Sequence, residues 1–194
     1  MMDPLTPRQT VSVGRARRGL AQALRLIEDL LALARAETDQ LDVRREPVNL
    51  GELAREATEE FRAHAEHKGL ALVLGDAGES VVVQSDSARV RQVLANLVSN
   101  AVKYTERGTV TVRVFADGHR AAIEVVDTGS GIPAERQHLV FQEFVRLDPH
   151  LAPGAGIGLA ISQKIVQALG GELTVTSEVG RGSSFVMWLP AGSG

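Results

Sequence analysis

Residues 86–105, DSARVRQVLANLVSNAVKYT, constrain the fold more than any other stretch, because they prescribe a helix with two incompatible sides. Val90, Val93, Leu94, Leu97, Val98 and Ala101 recur at helical spacing and demand a core to pack against. Asn96, Asn100 and Lys103 fall at i, i+4 and i+7, so two amides and an ammonium form a stripe on one face. A helix of this kind sits at a wall: apolar inward, polar toward a cleft or toward water. Carboxamide oxygens suit a hard cation such as Mg²⁺, and a lysine suits phosphate. A solvated face carries the same pattern, so the stripe alone leaves both readings open.

Three further blocks follow: DTGSGIP at 127–133, FQEF at 141–144 and GAGIGLAIS at 154–162. The apolar run Ala121 to Val126 reads as a buried strand that delivers Asp127 to a glycine turn, where backbone can approach a flat ligand. An aspartate there can accept a hydrogen bond from an exocyclic amine. Gly154, Gly156 and Gly158 run into the periodic helix Leu159 to Leu169, whose free N–H groups and positive dipole end face whatever lies before them. That arrangement reads as a phosphate cradle or as an ordinary loop and helix start. It is not a dinucleotide fingerprint, which needs a compact strand-turn-helix unit and an acidic ribose ligand.

In this order and spacing the blocks resemble the ATP-binding catalytic domain of bacterial sensor histidine kinases, over roughly residues 47–190. The resemblance implies that Asn100 coordinates Mg²⁺ and that Asn96 and Lys103 contact the phosphates of ATP, with Asn100 and Lys103 serving catalysis. It places Tyr104 beside the nucleotide and Asp127 on the adenine amino group. Gly129, Gly131 and Ile132 would shape the adenine side, and Gly154, Gly156, Ile157, Gly158 and Leu159 the phosphate side. Phe141 and Phe144 resemble the family's F box, and Arg146 a lid contact to the γ-phosphate. Gly180-Arg181-Gly182-Ser183 matches the family's last glycine turn and by itself reads as a hairpin between strands 172–177 and 184–189. Two residues depart from the pattern. Ala155 replaces a common Thr or Ser, and Pro153 a common glycine, which stiffens the exit of the lid segment 134–153.

Relatives on this fold that hydrolyse ATP carry a Glu one turn before the metal-binding Asn. Here that position is Asn96, an amide with no useful basicity, so water is poorly activated. Phosphoryl transfer then rests on positioning, and the nucleophile comes from elsewhere; the family uses a protein histidine. No His precedes residue 47, and none of His64, His67, His119, His138 and His150 sits in the family's acceptor motif. His64 and His67 have metal-like i, i+3 spacing but read as solvated helix residues. His138 and His150 fall in the lid, and His119 follows the turn signal Asp117-Gly118. The resemblance therefore implies a histidine-bearing kinase hairpin acting in trans, with a response regulator receiver domain downstream.

Leu20, Leu24, Ile27, Leu31 and Ala34 recur at 4,3,4,3 spacing, with Ala23, Leu26, Leu30 and Leu33 beside them. The segment resembles the second helix of the kinase dimerisation hairpin, followed by the linker Glu46-Pro47-Val48. Such a face predicts a homodimer through residues 13–38, the alternative being a helix folded back on the rest. The expected division is a partial dimerisation helix and linker over 1–46 and a catalytic domain over 47–194.

Composition sets limits. A net charge of −3 and 4% aromatic residues leave no electrostatic footprint for nucleic acid. Arg8, Arg15, Arg17, Arg18 and Arg25 read as a solvated helix face or a patch for an acidic partner. Cysteine is absent, which excludes thiol chemistry and fits the cytoplasm. No run approaches the ~18 apolar residues of a membrane span. The coarse order is helix 13–38, linker, helix 50–68, strands 69–75 and 80–84, helix 86–103, strands 109–116 and 120–127, lid, helix 157–169 and two closing strands. This predicts an α+β, two-layer α/β sandwich of the Bergerat ATP-binding type behind an N-terminal bundle helix. Two other functions stay open: a serine/threonine kinase of the anti-sigma-factor type, and a non-enzymatic nucleotide-dependent interaction module.

Overall fold

The computed structural model describes residues 6, 9, 12–14, 19–20, 42–75, 81–147 and 156–191. The chain divides into two compact units, Met1–Gln40 and Leu41–Gly194. In the first, residues 12–14 and 19–20 are helical; the rest of the expected bundle helix, and its arginine cluster, lie outside the described residues. So do His150, Pro153, Gly154, Ala155 and the tail 192–194.

The second unit runs β1 (Glu46–Asn49), α1 (Leu50–His67), β2 (Ala71–Leu74), β3 (Val82–Ser85), α2 (Ser87–Tyr104), β4 (Thr109–Asp117), β5 (Arg120–Asp127), a 3₁₀ turn (Ala134–Leu139), α3 (Gly158–Ala168), β6 (Glu172–Glu178) and β7 (Gly182–Pro190). Five strands form one sheet in the order β2-β4-β5-β7-β6, with β2 parallel to β4 and the other pairs antiparallel. Alternate residues Val110, Val112, Val114, Ile123, Val125, Met187 and Leu189 are buried on the sheet side that meets Val90, Val93, Leu94, Leu97 and Val98 of α2. Each such side chain contributes about 1.5–3 kcal/mol on burial. The α+β sandwich expected from the pattern is the one found. On the other face Arg120 lies 4.5 Å from the Trp188 ring centre, and Trp188 meets Phe115 edge to face at 5.5 Å.

One strand was not expected. Glu46-Pro47-Val48 reads as linker but forms β1, antiparallel to β3 with Glu46 opposite Ser85 and Val48 opposite Val83. A two-stranded ribbon tolerates Pro47, which a central strand would not. The segments around 71–74 and 82–85, neighbours in sequence, consequently belong to different sheets.

Helix ends explain how the site helix is held. In α3, Gly171 N–H donates to Val166 O (2.8 Å) and Gly170 N–H to Gln167 O (2.9 Å), a Schellman closure on the Gly-Gly stop. The end of α1 repeats it through Leu70 to Ala65 and Gly69 to Glu66, both at 2.9 Å. That closure sends Lys68 toward the C-terminus of α2, where its ammonium donates to the carbonyls of Val102 (2.7 Å), Lys103 (3.0 Å) and Thr105 (2.9 Å). A cation among the last carbonyls complements the helix dipole and fixes the turn that carries Lys103 and Tyr104.

Candidate functional site

Helix α2 supplies the stripe, and α3 is docked against it. Asn96 Nδ2 donates to the buried Ser162 Oγ at 2.8 Å, and Asn96 Oδ1 accepts from Asn100 Nδ2 at 3.4 Å. Both amides are thereby oriented, and Asn100 Oδ1 accepts no hydrogen bond among the described residues. Gly158 lies so close that a Cβ there would stand 2.6 Å from Asn96 Oδ1. The N-cap of α3 is Ile157, which makes no side-chain capping bond, so the first N–H groups of the helix depend on another acceptor. Ile157 itself is buried at 2% exposure, and Leu159 is half-buried.

About 10 Å further along α2, at ~1.5 Å per residue, Lys103 and Tyr104 mark the other end of the site. The Lys103 ammonium lies 4.9 Å from the centre of the Tyr104 ring. Facing them, β5 ends at Asp127, which is 7% exposed and accepts from Gly129 N–H at 2.8 Å. Burial pushes its carboxyl above the ordinary 3.8, and the backbone N–H groups of Gly129 and Ser183 oppose that rise. Gly129 runs beside the Tyr104 carbonyl, where a Cβ would stand 2.8 Å away. Gly131 and Gly182 admit still closer backbone: a Cβ at Gly131 would lie 2.0 Å from Glu178 O, and one at Gly182 1.9 Å from Asp127 O. Both have positive φ, 69° and 109°. Ile132 is half-buried, its N–H donating to Ser177 Oγ at 2.7 Å.

A third group flanks α3. Phe144 has φ 62°, the one positive φ of a non-glycine among the described residues, and is 62% exposed. Gly156 packs on this segment, a Cβ there falling 2.6 Å from Val145 O and 3.1 Å from Arg146 Cγ. Lys164 of α3 pairs with Glu143 at 2.7 Å. Asn96, Asn100 and Gly158 thus form one cluster, Tyr104, Asp127 and Gly129 a second, and Phe144, Arg146 and Gly156 a third; Gly154 is outside the described residues. Ser162, Lys68, Ser177 and Ser183 are additions. Ser162 was within reach of the sequence, being one turn beyond Gly158 on the same face of α3. Lys68 and Ser177 act across 34 or more residues and carry no local signal.

His64, His67, His119 and His138 are all exposed, and no group of three or more His, Cys, Asp or Glu that could hold a metal occurs among the described residues. No helix among them is long and apolar enough to cross a membrane.

A five-stranded mixed sheet backed by helices, with an amide stripe against an uncapped helix start and a buried aspartate beyond it, defines a nucleotide-binding sandwich of the Bergerat class. Comparison with known proteins makes this specific. Residues 85–193 match the family described as histidine kinase-, DNA gyrase B-, and HSP90-like ATPase. The chain is 37% identical over 193 residues to the circadian input-output histidine kinase CikA of Synechococcus elongatus, covering 96% of this chain and 26% of that protein. It is 39% identical over 171 residues to the adaptive-response sensory kinase SasA of Thermosynechococcus vestitus, covering 85% and 44%. Among solved structures, full-length ShkA in complex with AMPPNP aligns with a TM-score of 0.86 at 33% identity, covering 97% of this chain and 40% of that one. The catalytic domain of histidine kinase ThkA aligns at 0.68 and 28%, covering 75% and 95%. The chain belongs to this ATPase family, in its branch of sensor histidine kinase ATP-binding catalytic domains. It spans less than half the length of CikA or SasA.

Proposed function

We propose that residues 47–194 bind Mg-ATP and transfer its γ-phosphoryl group to a histidine on another chain. The observation that carries this is the side-chain-uncapped start of α3 set against the oriented Asn96 and Asn100. Anionic oxygens satisfy those N–H groups and gain from the helix dipole. Lys103 adds positive charge, and Asp127 accepts from the amino group of adenine. Tyr104, Gly129, Gly131 and Ile132 line the base end, and Gly154, Gly156, Ile157, Gly158, Leu159, Phe144 and Arg146 the phosphate end. The donor set fits Mg²⁺, since Asn100 Oδ1 is a hard neutral oxygen with no partner among the described residues, and an ion held by one or two protein oxygens takes the rest from phosphate and water. When bound, Mg²⁺ neutralises charge on the transferred group.

The chain's own residues do the positioning. With Asn96 where hydrolysing relatives have Glu, no carboxylate stands there to take a proton from water. A neutral imidazole nitrogen attacks the γ-phosphorus in line, the bond to the β,γ-bridging oxygen breaks, and ADP leaves with a phosphohistidine formed. The 4,3,4,3 apolar spacing, with Val13 and Leu20 exposed, supports homodimerisation through residues 13–38. A receiver domain is the expected final acceptor, and the cysteine-free chain and its ATP substrate suit the cytoplasm. The test is label transfer from γ-labelled Mg-ATP to this chain alone and with a histidine-bearing hairpin added. Acid-labile, alkali-stable label on the hairpin is expected; ATP binding without label in either case would leave an interaction module instead.

A further inference from the structure

The base end of the site holds a chain of hydroxyl groups whose proton positions are determined by counting. Asp127 pairs with Ser183 across β5 and β7, and Ser183 with Ser177 across β7 and β6. Directly opposed residues of antiparallel strands point to the same face, so the three side chains form a row. Ser177 Oγ makes three contacts: it accepts from Ile132 N–H at 2.7 Å and lies 2.9 Å from both Gly182 O and Ser183 Oγ. A hydroxyl has one proton and two acceptor sites. A carbonyl cannot donate, so the Ser177 proton goes to Gly182 O, and the Ser183 proton has to make the bond between the serines. Gln137 braces this arrangement, its Nε2 donating to Ser177 O (2.7 Å) and Ile132 O (3.1 Å). Ser183, 7% exposed and opposite Asp127 in the sheet, therefore has its one proton engaged and only lone pairs left to offer.

We infer that Ser177 is a specificity-determining residue: by holding the Ser183 hydroxyl as its own donor, it makes the Asp127–Ser183 row acceptor-only and selects a base with an exocyclic amine over a 6-oxo purine. The inference rests on the reading that the base sits at Asp127. An amine meets two acceptors there; a keto oxygen meets two lone-pair surfaces and no donor. Ser177 does not touch the ligand and acts through Ser183.

Dissociation constants for ATP and inosine triphosphate, measured on the full chain, test it. Ser177→Ala releases the Ser183 hydroxyl to rotate and donate, and the preference for ATP over inosine triphosphate is expected to narrow by about tenfold, the effect of one hydrogen bond changing sign. Ser183→Ala leaves the Ser177 bonds to Ile132 and Gly182 intact, and narrows the same ratio severalfold by weakening ATP alone. Equal weakening of both nucleotides in Ser177→Ala would overturn the inference and make Ser177 a loop tether only. If that variant fails to fold, an unchanged ratio in Ser183→Ala overturns it. No ATP binding by the unsubstituted chain would instead defeat the nucleotide reading itself, and this inference with it.

Discussion

Helices α1 and α2 are capped by their own neighbours, whereas α3 begins with no side-chain cap. Asn49 accepts from Gly51 and Glu52 N–H at 3.0 and 3.2 Å, and Asp86 from Arg89 N–H at 3.1 Å. The position before α3 holds Ile157, buried and unable to accept. A side-chain cap contributes about 1 kcal/mol, and it is absent at one of the three α-helices described in the second unit. The two starts that are capped belong to the fold alone; the one without a side-chain cap lies against the Asn stripe, where the proposed function puts the phosphates.

That contrast can be broken most severely at the amides. Asn100→Asp replaces a neutral oxygen donor by a charge beside the phosphates and is expected to lower phosphoryl transfer at least ~100-fold, as loss of a preorganised electrostatic group does; undiminished transfer would remove Asn100 from its assigned role. Next comes Asp127→Asn, which turns one acceptor into a donor against the amino group; a loss of ATP affinity of about 10–100-fold is expected by calorimetry.

Substitutions at the two kinds of helix start separate ligand binding from stability. Gly158→Ala drives a methyl against Asn96 Oδ1 and should weaken ATP about tenfold, with a smaller change for adenosine, which lacks phosphates. Asn49→Ala, at a start that faces no ligand, should cost about 1 kcal/mol of stability and leave ATP affinity unchanged. Affinity loss in Asn49→Ala, or equal effects on ATP and adenosine in Gly158→Ala, would erase the distinction.

The smallest expected effect is with pH. Burial raises the Asp127 pKa, so on acidification the unliganded site takes up a proton at a pH above the ordinary 3.8. Binding an amine donor favours the carboxylate and expels that proton. ATP affinity should therefore fall as pH drops toward the carboxylate range, and the fall should be smaller in Asp127→Asn, where only the nucleotide's own protonation is left to cause it.

What could be read from the sequence was local. The α2 stripe, the strand delivering Asp127 and the hairpin at Gly118 each depend on residues a few positions apart, and each stands where periodicity and turn chemistry put it. What stayed hidden depends on distant partners. β1 exists only because Val83 lies opposite Val48, and its Pro47 argues for a linker on any local rule. The parallel pairing of β2 with β4 bypasses β3 and leaves no mark in composition. Lys68 reads as an ordinary residue before a glycine until Val102 and Thr105 are brought over it. Of the candidate site, the stripe that sets Asn96 beside Asn100 and the turn that sets Asp127 beside Gly129 were legible; the contacts of Ser177 with Gly182 and Ser183 were not.

The wall beside Asp127 is made of peptide groups: Tyr104 O beside Gly129, Glu178 O beside Gly131, and the Asp127 carbonyl beside Gly182. Main-chain atoms do not change when side chains are replaced. Drift at the neighbouring positions can rewrite surface charge while this packing of backbone on backbone keeps its shape, so the three glycines are where a single added methyl group would do what many side-chain exchanges around them cannot.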